Sequence, residues 1–302
     1  EAEALLAEVH RRGGGEPGDE LLIEAIANAR AFALIRDGRF TEAYAPAIAG
    51  GEASARANRP DLSYGAWLNG ACAASCAGDF ERALEFIDRG REALAGRGLI
   101  GLEINYLAAR SYVLTRLDRL DEARADADEE EELAERIDNR ELRATAEHDR
   151  GLVALARGEN ESAAGLLARA LEHEAPVSRP LARLARAEAL VRLGRCDEAE
   201  EELRATALEP VGPSDFPDTL VPRLTRLQGL IAAARGEHGL AARRLEEAAN
   251  GWRRRLDRSA DGDRYAATLT DLGRPPVAGL VEPDRELERV LEDLRALDKT
   301  IA

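Results

Sequence analysis

Two of the three cysteines in the chain, Cys72 and Cys76, stand four residues apart, which places them on one face of a helix. Such a pair could supply half of a zinc site, because structural zinc takes four Cys or His ligands. No second Cys or His pair stands nearby to complete it. We therefore interpret both residues as small members of an apolar core, with a solvent-accessible thiol at Cys76 as the alternative.

Three other stretches invite a chemical interpretation. The segment "DRSADGDRYAAT" spaces Asp, Ser and Gly as an EF-hand calcium loop does, but Thr268 stands where that loop needs a bidentate Glu, which favours an ordinary polar loop. The glycines at 13–15 are not followed by the Gly-Lys-Ser/Thr that grips a nucleotide. His148 and Asp149 are adjacent, and adjacent residues of a helix point apart. The sequence therefore predicts no enzyme active site, no metal and no cofactor.

Composition narrows the class of protein further. The 302 residues carry a net charge of -16, which repels a phosphate backbone, so we expect no direct contact with nucleic acid. Aromatic residues reach only 4%, so the core must be built from Ala and Leu, which favours close-packed helices. Three cysteines, no leader and no long apolar span predict a soluble, cytoplasmic protein without membrane contact. The absence of Met, even at residue 1, indicates a processed or excised piece.

The elements that would position any site come from a repeat. Six similar turns recur along the chain, and we call the central residue of each turn its pivot. The pivots follow one another at intervals of 36 to 42 residues: Gly38, Gly78, Asp118, Gly158, Gly194 and Gly236. Five residues after the pivots stand Ala43, Ala83, Ala123, Ala163, Ala199 and Ala241, and seven residues before them stand Ala31, Ala71, Ser111, Gly151, Ala187 and Gly229. Two antiparallel helices joined by a tight turn approach closely only where the facing residues are small. The pattern predicts about six antiparallel helix pairs.

This repeat resembles the tetratricopeptide repeat (TPR). Trp67 stands eleven residues before its pivot, where that family favours Trp, and "GDFERALEFI" reads like the centre of the family's helix-turn-helix unit. The resemblance covers roughly residues 20 to 256 and implies an all-α, right-handed α-solenoid with capping helices at both ends. The units exceed the usual ~34 residues. Long units of this kind resemble the helical solenoid between the ATPase and DNA-binding ends of large LuxR-type bacterial transcriptional regulators.

We expect three segments along the chain. Residues 1–18 are predicted to form an N-terminal helix and a flexible link, residues 19–256 the TPR-like array, and residues 257–302 the C-terminal capping helices. The acidic run from Ala125 to Glu135 is interpreted as a solvated outer face, with Glu130 exposed, or alternatively as a docking patch for a basic partner.

The family resemblance also implies where a ligand would bind. In TPR proteins the first helix of each pair lines a concave groove, and Asn69 occupies the place where carboxylate-binding relatives use an Asn to hold peptide backbone. An Arg-rich end of the groove could hold an acidic ligand through bidentate contacts. The polar and aromatic residues at the groove positions are Asn69, Asn105, Tyr112, Thr115, Arg116, His148, Asp149, Glu188, Arg192, Arg223 and Arg226. Alternatively, several of them face neighbouring repeats or solvent and bind no ligand.

These observations favour a non-catalytic scaffold that binds a protein or peptide partner, or a small effector molecule. The long units favour the sensor or interaction domain of a bacterial transcriptional regulator. A free-standing TPR adaptor is the alternative, and an enzyme built on an α-solenoid is a third reading that no paired catalytic groups support. Oligomers are compatible with each of these readings.

Overall fold

The computed structural model describes residues 11, 18–37, 39–173, 179–208, 216–258 and 283–301. Within these ranges the chain forms thirteen α-helices, one short 3-10 helix at Thr41–Ala43, and no strand. The helices are α1 (Asp19–Arg36), α2 (Tyr44–Arg56), α3 (Pro60–Cys76), α4 (Phe80–Leu94), α5 (Ile100–Arg116), α6 (Leu120–Arg136), α7 (Arg140–Ala156), α8 (Asn160–His173), α9 (Arg179–Arg192), α10 (Cys196–Leu208), α11 (Phe216–Ala234), α12 (His238–Arg258) and α13 (Pro283–Ile301). The all-α prediction is confirmed.

Odd-numbered helices are the first helices of the predicted pairs and even-numbered helices are the second. Five pairs pack closely, α1 with α2, α3 with α4, α7 with α8, α9 with α10, and α11 with α12. Adjacent first helices also touch, as α1 does with α3 and α9 does with α11. This is the helical-repeat arrangement that the sequence predicted.

The predicted pivots end the first helices in the left-handed conformation. Gly78, Gly158, Gly194 and Gly236 have φ between 74° and 77°, and Asp118 has φ 59°. The residue after each of these pivots donates its backbone N–H to the carbonyl five residues earlier, at 2.8–2.9 Å, which satisfies a carbonyl that the helix end would otherwise leave unpaired. Gly38 lies outside the described residues.

The long period is explained by long helices. Four helices in the middle of the chain, α3, α5, α6 and α7, each contain 17 residues. Two connections between pairs are as tight as the pivots, since Asn58 and Asp138 also have positive φ, at 52° and 48°. In these four helices, residues beyond the usual ~34 of a repeat are therefore added to the helices.

The small positions are confirmed as the close contacts of the repeat. The ten Ala and Ser residues are at most 1% exposed, and Gly151 and Gly229 are buried. A Cβ at Gly151 would lie 2.7 Å from the Cγ of Leu167, and one at Gly229 would lie 2.9 Å from the Cγ of Leu245. Bulk at these positions would push the paired helices apart.

The interpretation of the cysteines is partly confirmed. Cys72 is fully buried in α3, as a small core residue should be, whereas Cys76 at the end of that helix and Cys196 are partly exposed. All three are free thiols. No group of three or more His, Cys, Asp and Glu that could hold a metal ion occurs in the part of the chain that the structure describes.

The interpretation of the acidic run is wrong at Glu130. This residue is fully buried and Asp126 is only 5% exposed. The reason is helical register: Glu130 follows Ala123 and Ala127 at i+7 and i+3, on the face that α6 presents to α7. Burial, reinforced by the neighbouring Asp149 carboxyl, raises the pKa of Glu130 well above its usual value.

The helices divide into two compact units at Arg119 and Leu120. In their described parts, the first unit contains α1 to α5 and the second contains α6 to α13. Of the predicted N-terminal segment, 1–10 and 12–17 lie outside the described residues, and of the predicted C-terminal segment the structure describes 257–258 and 283–301. The boundaries of both segments remain predictions.

Within the second unit, α13 takes the position of a further first helix. It packs on α12 and also touches α11, just as α9 packs on α8 and touches α7. Val290 and Leu297, 0% and 5% exposed, join a core with Leu245 and Trp252 of α12. This position places the polar side of α13 beside α11.

Candidate functional site

The predicted groove residues lie on first helices in both units. Those of the first unit are Asn69, Asn105, Tyr112, Thr115 and Arg116, and those of the second are His148, Asp149, Glu188, Arg192, Arg223 and Arg226. Each unit presents a distinct chemistry on its first helices.

In the first unit, Asn69 is held by a neighbouring first helix. Its side chain is 4% exposed, and its Nδ2 donates to Oδ1 of Asn28 on α1 at 2.7 Å. The absence of a side chain at Gly65 makes room for this amide pair, because a Cβ there would lie 2.9 Å from Nδ2 of Asn28. Asn69 therefore joins α1 to α3 and offers little surface to a ligand.

An aromatic pair also joins α3 to α5, in the buried interior of the first unit. The rings of Tyr64 and Tyr106 meet edge to face with centroids 5.4 Å apart, and the Tyr106 hydroxyl donates to the Tyr64 carbonyl at 3.3 Å. Burial raises the pKa of Tyr64, and the neighbouring Asn105 side chain opposes that shift. Asn105 itself is half-buried.

Three predicted residues near the end of α5 remain half-buried. Thr115 donates its hydroxyl to the Ser111 carbonyl at 2.8 Å, and the Arg116 guanidinium lies over the Phe80 ring, 6.0 Å from its centroid. Tyr112 is also half-buried. Together with Asn105 they form the accessible part of the first unit's predicted site.

In the second unit, four of the six predicted residues come together in an ion network. Arg226 is the centre: its Nε donates to Oδ2 of Asp293 at 2.6 Å, and its Nη1 lies 3.5 Å from Oε2 of Glu188. Glu188 also accepts a 2.7 Å hydrogen bond from Arg192, whose other terminal nitrogen donates to the Leu155 carbonyl at 3.0 Å. The network links α9, α11 and α13.

A second branch runs along α13. Arg223 of α11 donates to Oε1 of Glu286 at 2.9 Å, and Nη1 of Arg289 lies 3.7 Å from the same oxygen. Four guanidiniums thus face three carboxylates, Glu188, Glu286 and Asp293. The predicted Arg-rich end is largely neutralised from within the chain.

The carboxylates of this network respond differently to burial. Burial alone would raise the pKa of Glu188 and of Glu286, but the surrounding guanidiniums outweigh it and hold both pKa values below the usual range. Burial raises the pKa of Asp293, and the Arg226 guanidinium offsets that rise only in part. Glu188 and Glu286 are therefore the firmly ionised members.

His148 and Asp149 lie away from this network, on α7. They are 7% and 6% exposed, so neither presents much surface to a ligand. They were predicted as groove residues because of their distance from the pivot, which is the criterion that the resemblance to TPR proteins supplies. That criterion takes no account of the neighbouring helices that cover a side chain.

Sequence reasoning missed Glu286, Arg289 and Asp293. A signal was present, because Glu286 and Asp293 stand seven residues apart and so share one side of an amphipathic helix. The partner helix could not be read from that spacing, since Arg226 and Asp293 are 67 residues apart in the chain.

A recurrent ion pair between successive helix pairs was also missed. Arg110 and Arg150 each stand eight residues before a pivot, and Asp88 and Asp128 each stand ten after one. The Arg110 Nε lies 3.3 Å from Asp88, and the Arg150 Nε lies 2.9 Å from Asp128. The shared offsets are a signal that the repeat alignment could have revealed.

No helix within the described ranges is both long and apolar enough to cross a bilayer.

Comparisons with known proteins bear on the fold. No protein-family model and no curated protein sequence matches the chain. Among solved structures, it is similar to a tetratricopeptide repeat protein from Parabacteroides merdae ATCC 43184, with a TM-score of 0.56, 17% identity, and coverage of 82% of this chain and 84% of that one. It is also similar to the apo form of RapI, with a TM-score of 0.64, 12% identity, and coverage of 98% and 80%.

A third similar structure is BtubC (BKLC) from P. vanneervenii, with a TM-score of 0.54, 18% identity, and coverage of 70% of this chain and 92% of that one. At these identities the likeness shows the fold alone. The chain has a TPR-like helical-repeat fold.

Proposed function

We propose that the protein is a non-catalytic binding scaffold whose first-helix faces receive a protein or peptide partner, or a small effector of mixed polarity. The observation that carries this proposal is the ion network of α9, α11 and α13. It holds two arginines at its margins with part of their surface free, Arg192 at 41% and Arg289 at 46% side-chain exposure. Guanidiniums fixed in this way can receive a carboxylate or a backbone carbonyl without first losing much conformational freedom.

The nearly balanced charge of the network sets the ligand class. A polyanion would face three carboxylates as well as four guanidiniums. A peptide carries both carbonyl acceptors and N–H donors, so it can pair with the guanidiniums and with the carboxylates of this surface, which a polyanion cannot do. In the first unit, half-buried Asn105, Tyr112 and Arg116 add an amide, a phenol and a guanidinium for the same purpose.

The direct test is titration calorimetry of the full chain against a library of peptides and metabolites. Each hit is repeated with Arg192→Ala and Arg289→Ala on the first-helix face, and with Arg136→Ala as the control, since Arg136 is exposed on the second helix α6. We expect Arg192→Ala and Arg289→Ala each to lower the affinity for the ligand at least about tenfold, and Arg136→Ala to leave it unchanged. A ligand that loses affinity with Arg136→Ala but not with the face variants would refute the proposal.

We further propose that the scaffold serves as the sensor or interaction domain of a cytoplasmic bacterial transcriptional regulator of the LuxR type. The support is the long repeat unit, with its 17-residue helices. The complete reading frame tests it. An ATPase before this segment and a helix-turn-helix after it would support the regulator, whereas a frame that ends near residue 302 would favour a free-standing adaptor.

A further inference from the structure

One carboxyl group in the interior of the second unit has no part in the proposed function. Glu130 of α6 is 0% exposed, and it shares a helix face with Ala123, Ala127 and Ala134, which are also 0% exposed. No residue that the structure describes donates a hydrogen bond to either carboxyl oxygen of Glu130. An ionised carboxylate at this position would lose its hydration and gain no donor in exchange.

The groups that face Glu130 are themselves carboxyls. Asp149 of α7 lies within hydrogen-bonding reach of Glu130, and Asp126, one turn earlier on α6, also acts on it. Asp149 and Asp126 are only 6% and 5% exposed. Two carboxylates in contact repel each other, whereas a carboxylic acid can donate its O–H to a carboxylate. A proton is therefore the one addition that turns this contact from repulsive to attractive.

The cations of the nearby helices are held by other carboxylates. In the described part of the second unit, α7 is the helix that packs closely on α6, and of its titratable residues only His148 and Asp149 are buried. His148 is adjacent to Asp149 and so points to a different side of α7. Arg150 of α7 pairs with two carboxylates on α6, and Arg169 of α8 pairs with one on α7.

We propose that Glu130 and Asp149 share one proton between α6 and α7, and that this contact is a pH-sensitive switch in the second unit. While the proton is present, Glu130 is a neutral acid that donates its O–H to the Asp149 carboxylate and holds the two helices together. When the proton leaves, a second negative charge occupies the same buried place without a compensating cation. The packing of α6 on α7 then loosens, because separation of the helices lets water reach both charges.

The direction of the pH dependence follows from proton linkage. Burial, together with the neighbouring carboxyls, raises the pKa of Glu130 above its usual value of 4.5, so the folded chain keeps a proton that the unfolded chain has already released. The stability that this contact contributes is fully present below about pH 4.5 and is lost as the pH rises through the folded-state pKa. Glu286 in the ion network has a lowered pKa, so its contribution changes with pH in the opposite direction.

The first experiment measures the proton directly in the unaltered full chain. The glutamate carboxyl carbons are labelled with carbon-13, and the NMR signal of Glu130 is assigned as the one that Glu130→Gln removes. We expect the Glu130 carboxyl to titrate at a higher pH in the folded chain than in the chain unfolded by urea. Titration at the same pH or at a lower pH in the folded chain would overturn the proposal.

The second experiment measures stability by urea unfolding between about pH 4 and pH 9. Glu130→Gln keeps the shape of the side chain but has no proton to lose, and Glu132→Gln is the matched control, because Glu132 is exposed on the same helix. Where only the folded chain holds the proton, the unfolding constant of the parent should rise about tenfold per pH unit relative to that of Glu130→Gln. Glu132→Gln should follow the parent. Parallel profiles for the parent and Glu130→Gln would contradict the switch.

Two further measurements test the sharing of the proton and the place that loosens. In Asp149→Asn the second negative charge is absent, so the titration of Glu130 should move to a lower pH. Above the Glu130 transition, backbone amides of α6 and α7 should lose protection from hydrogen exchange while those of α11 keep it, and Glu130→Gln should abolish this change. An unmoved titration, or a loss of protection spread evenly over all helices, would show that the proposal is wrong. No ligand enters these tests, so they succeed or fail independently of the proposed function.

Discussion

The first-helix faces of the two units bury polar groups in opposite ways. In the first unit, α1 and α3 are joined by a neutral amide pair, Asn28 with Asn69. In the second unit, α11 and α13 are joined by ions, Arg226 with Asp293 and Arg223 with Glu286. The same position in the repeat can therefore be satisfied by either chemistry.

The difference has consequences for stability and for ligands. A neutral amide left without its partner costs the hydrogen bond and some desolvation, whereas a buried ion left alone is far more expensive. The charge of the carboxylates, and therefore their contribution to stability, depends on pH, whereas the amides stay neutral at every pH considered. A ligand that competes for these groups should therefore perturb the second unit more than the first.

The largest effect is expected from Arg226→Ala. It removes a guanidinium that contacts both Glu188 and Asp293, so Asp293 loses its 2.6 Å partner, whereas Glu188 keeps its hydrogen bond from Arg192. We expect a loss of about 3–5 kcal/mol in the free energy of unfolding, measured by urea titration. Arg204→Ala, at an exposed arginine, should change it by less than about 0.5 kcal/mol. Equal, small losses in the two variants would show that the network does not stabilise the fold.

Packing should be equivalent in the two units. Ala83 of α4 and Ala163 of α8 occupy the same place after their pivots and are both 0% exposed. Replacement of either by Leu should cost about 1–3 kcal/mol, because the helix pair has no room for the added carbons. Ala296→Leu, on the exposed side of α13, is the control and should leave the melting temperature almost unchanged. A parent-like melting temperature for Ala83→Leu or Ala163→Leu would contradict the alignment of the repeats.

The amide pair should respond to substitution but not to pH. Asn69→Ala removes the donor to Asn28, and we expect a loss of about 1–3 kcal/mol. The difference from the parent should be the same at pH 5 and pH 8, since neither amide titrates. The double variant Asn28→Ala/Asn69→Ala should lose less than the sum of the single variants. Additive losses would show that the two amides do not interact.

The smallest effect is a change in pH dependence at Glu286. Its folded-state pKa lies below its usual value of 4.5, so it contributes stability above about pH 4.5, and that contribution is lost as the pH falls through the folded pKa. Glu286→Gln should therefore be less stable than the parent at pH 7, and the difference should shrink as the pH falls below about 4.5 and through the folded-state pKa of Glu286. Urea titrations across that range measure the difference. A difference that grows on acidification would reverse our assignment of the charge on Glu286.

The sequence by itself determined the repeat. A pivot such as Gly78 or Gly158 and the small residue five places later belong to the same helix pair. The tight turn requires a left-handed backbone at the pivot, and the close approach of the two helices requires a small side chain, so both constraints are visible in a short stretch of sequence. The residues of the candidate site were partly predictable for the same reason, because positions such as Arg192 and Arg226 follow from their offsets to a pivot.

Only the tertiary structure decided what those residues contact. Asn69 pairs with Asn28 across 41 residues, and Arg226 pairs with Asp293 across 67, so neither partner follows from a local pattern. Glu130 belongs to an acidic run, and only the face that α6 turns to α7 shows that it is buried. Spacing within a helix determines which side chains share a face, but burial and charge balance depend on which other helices cover that face.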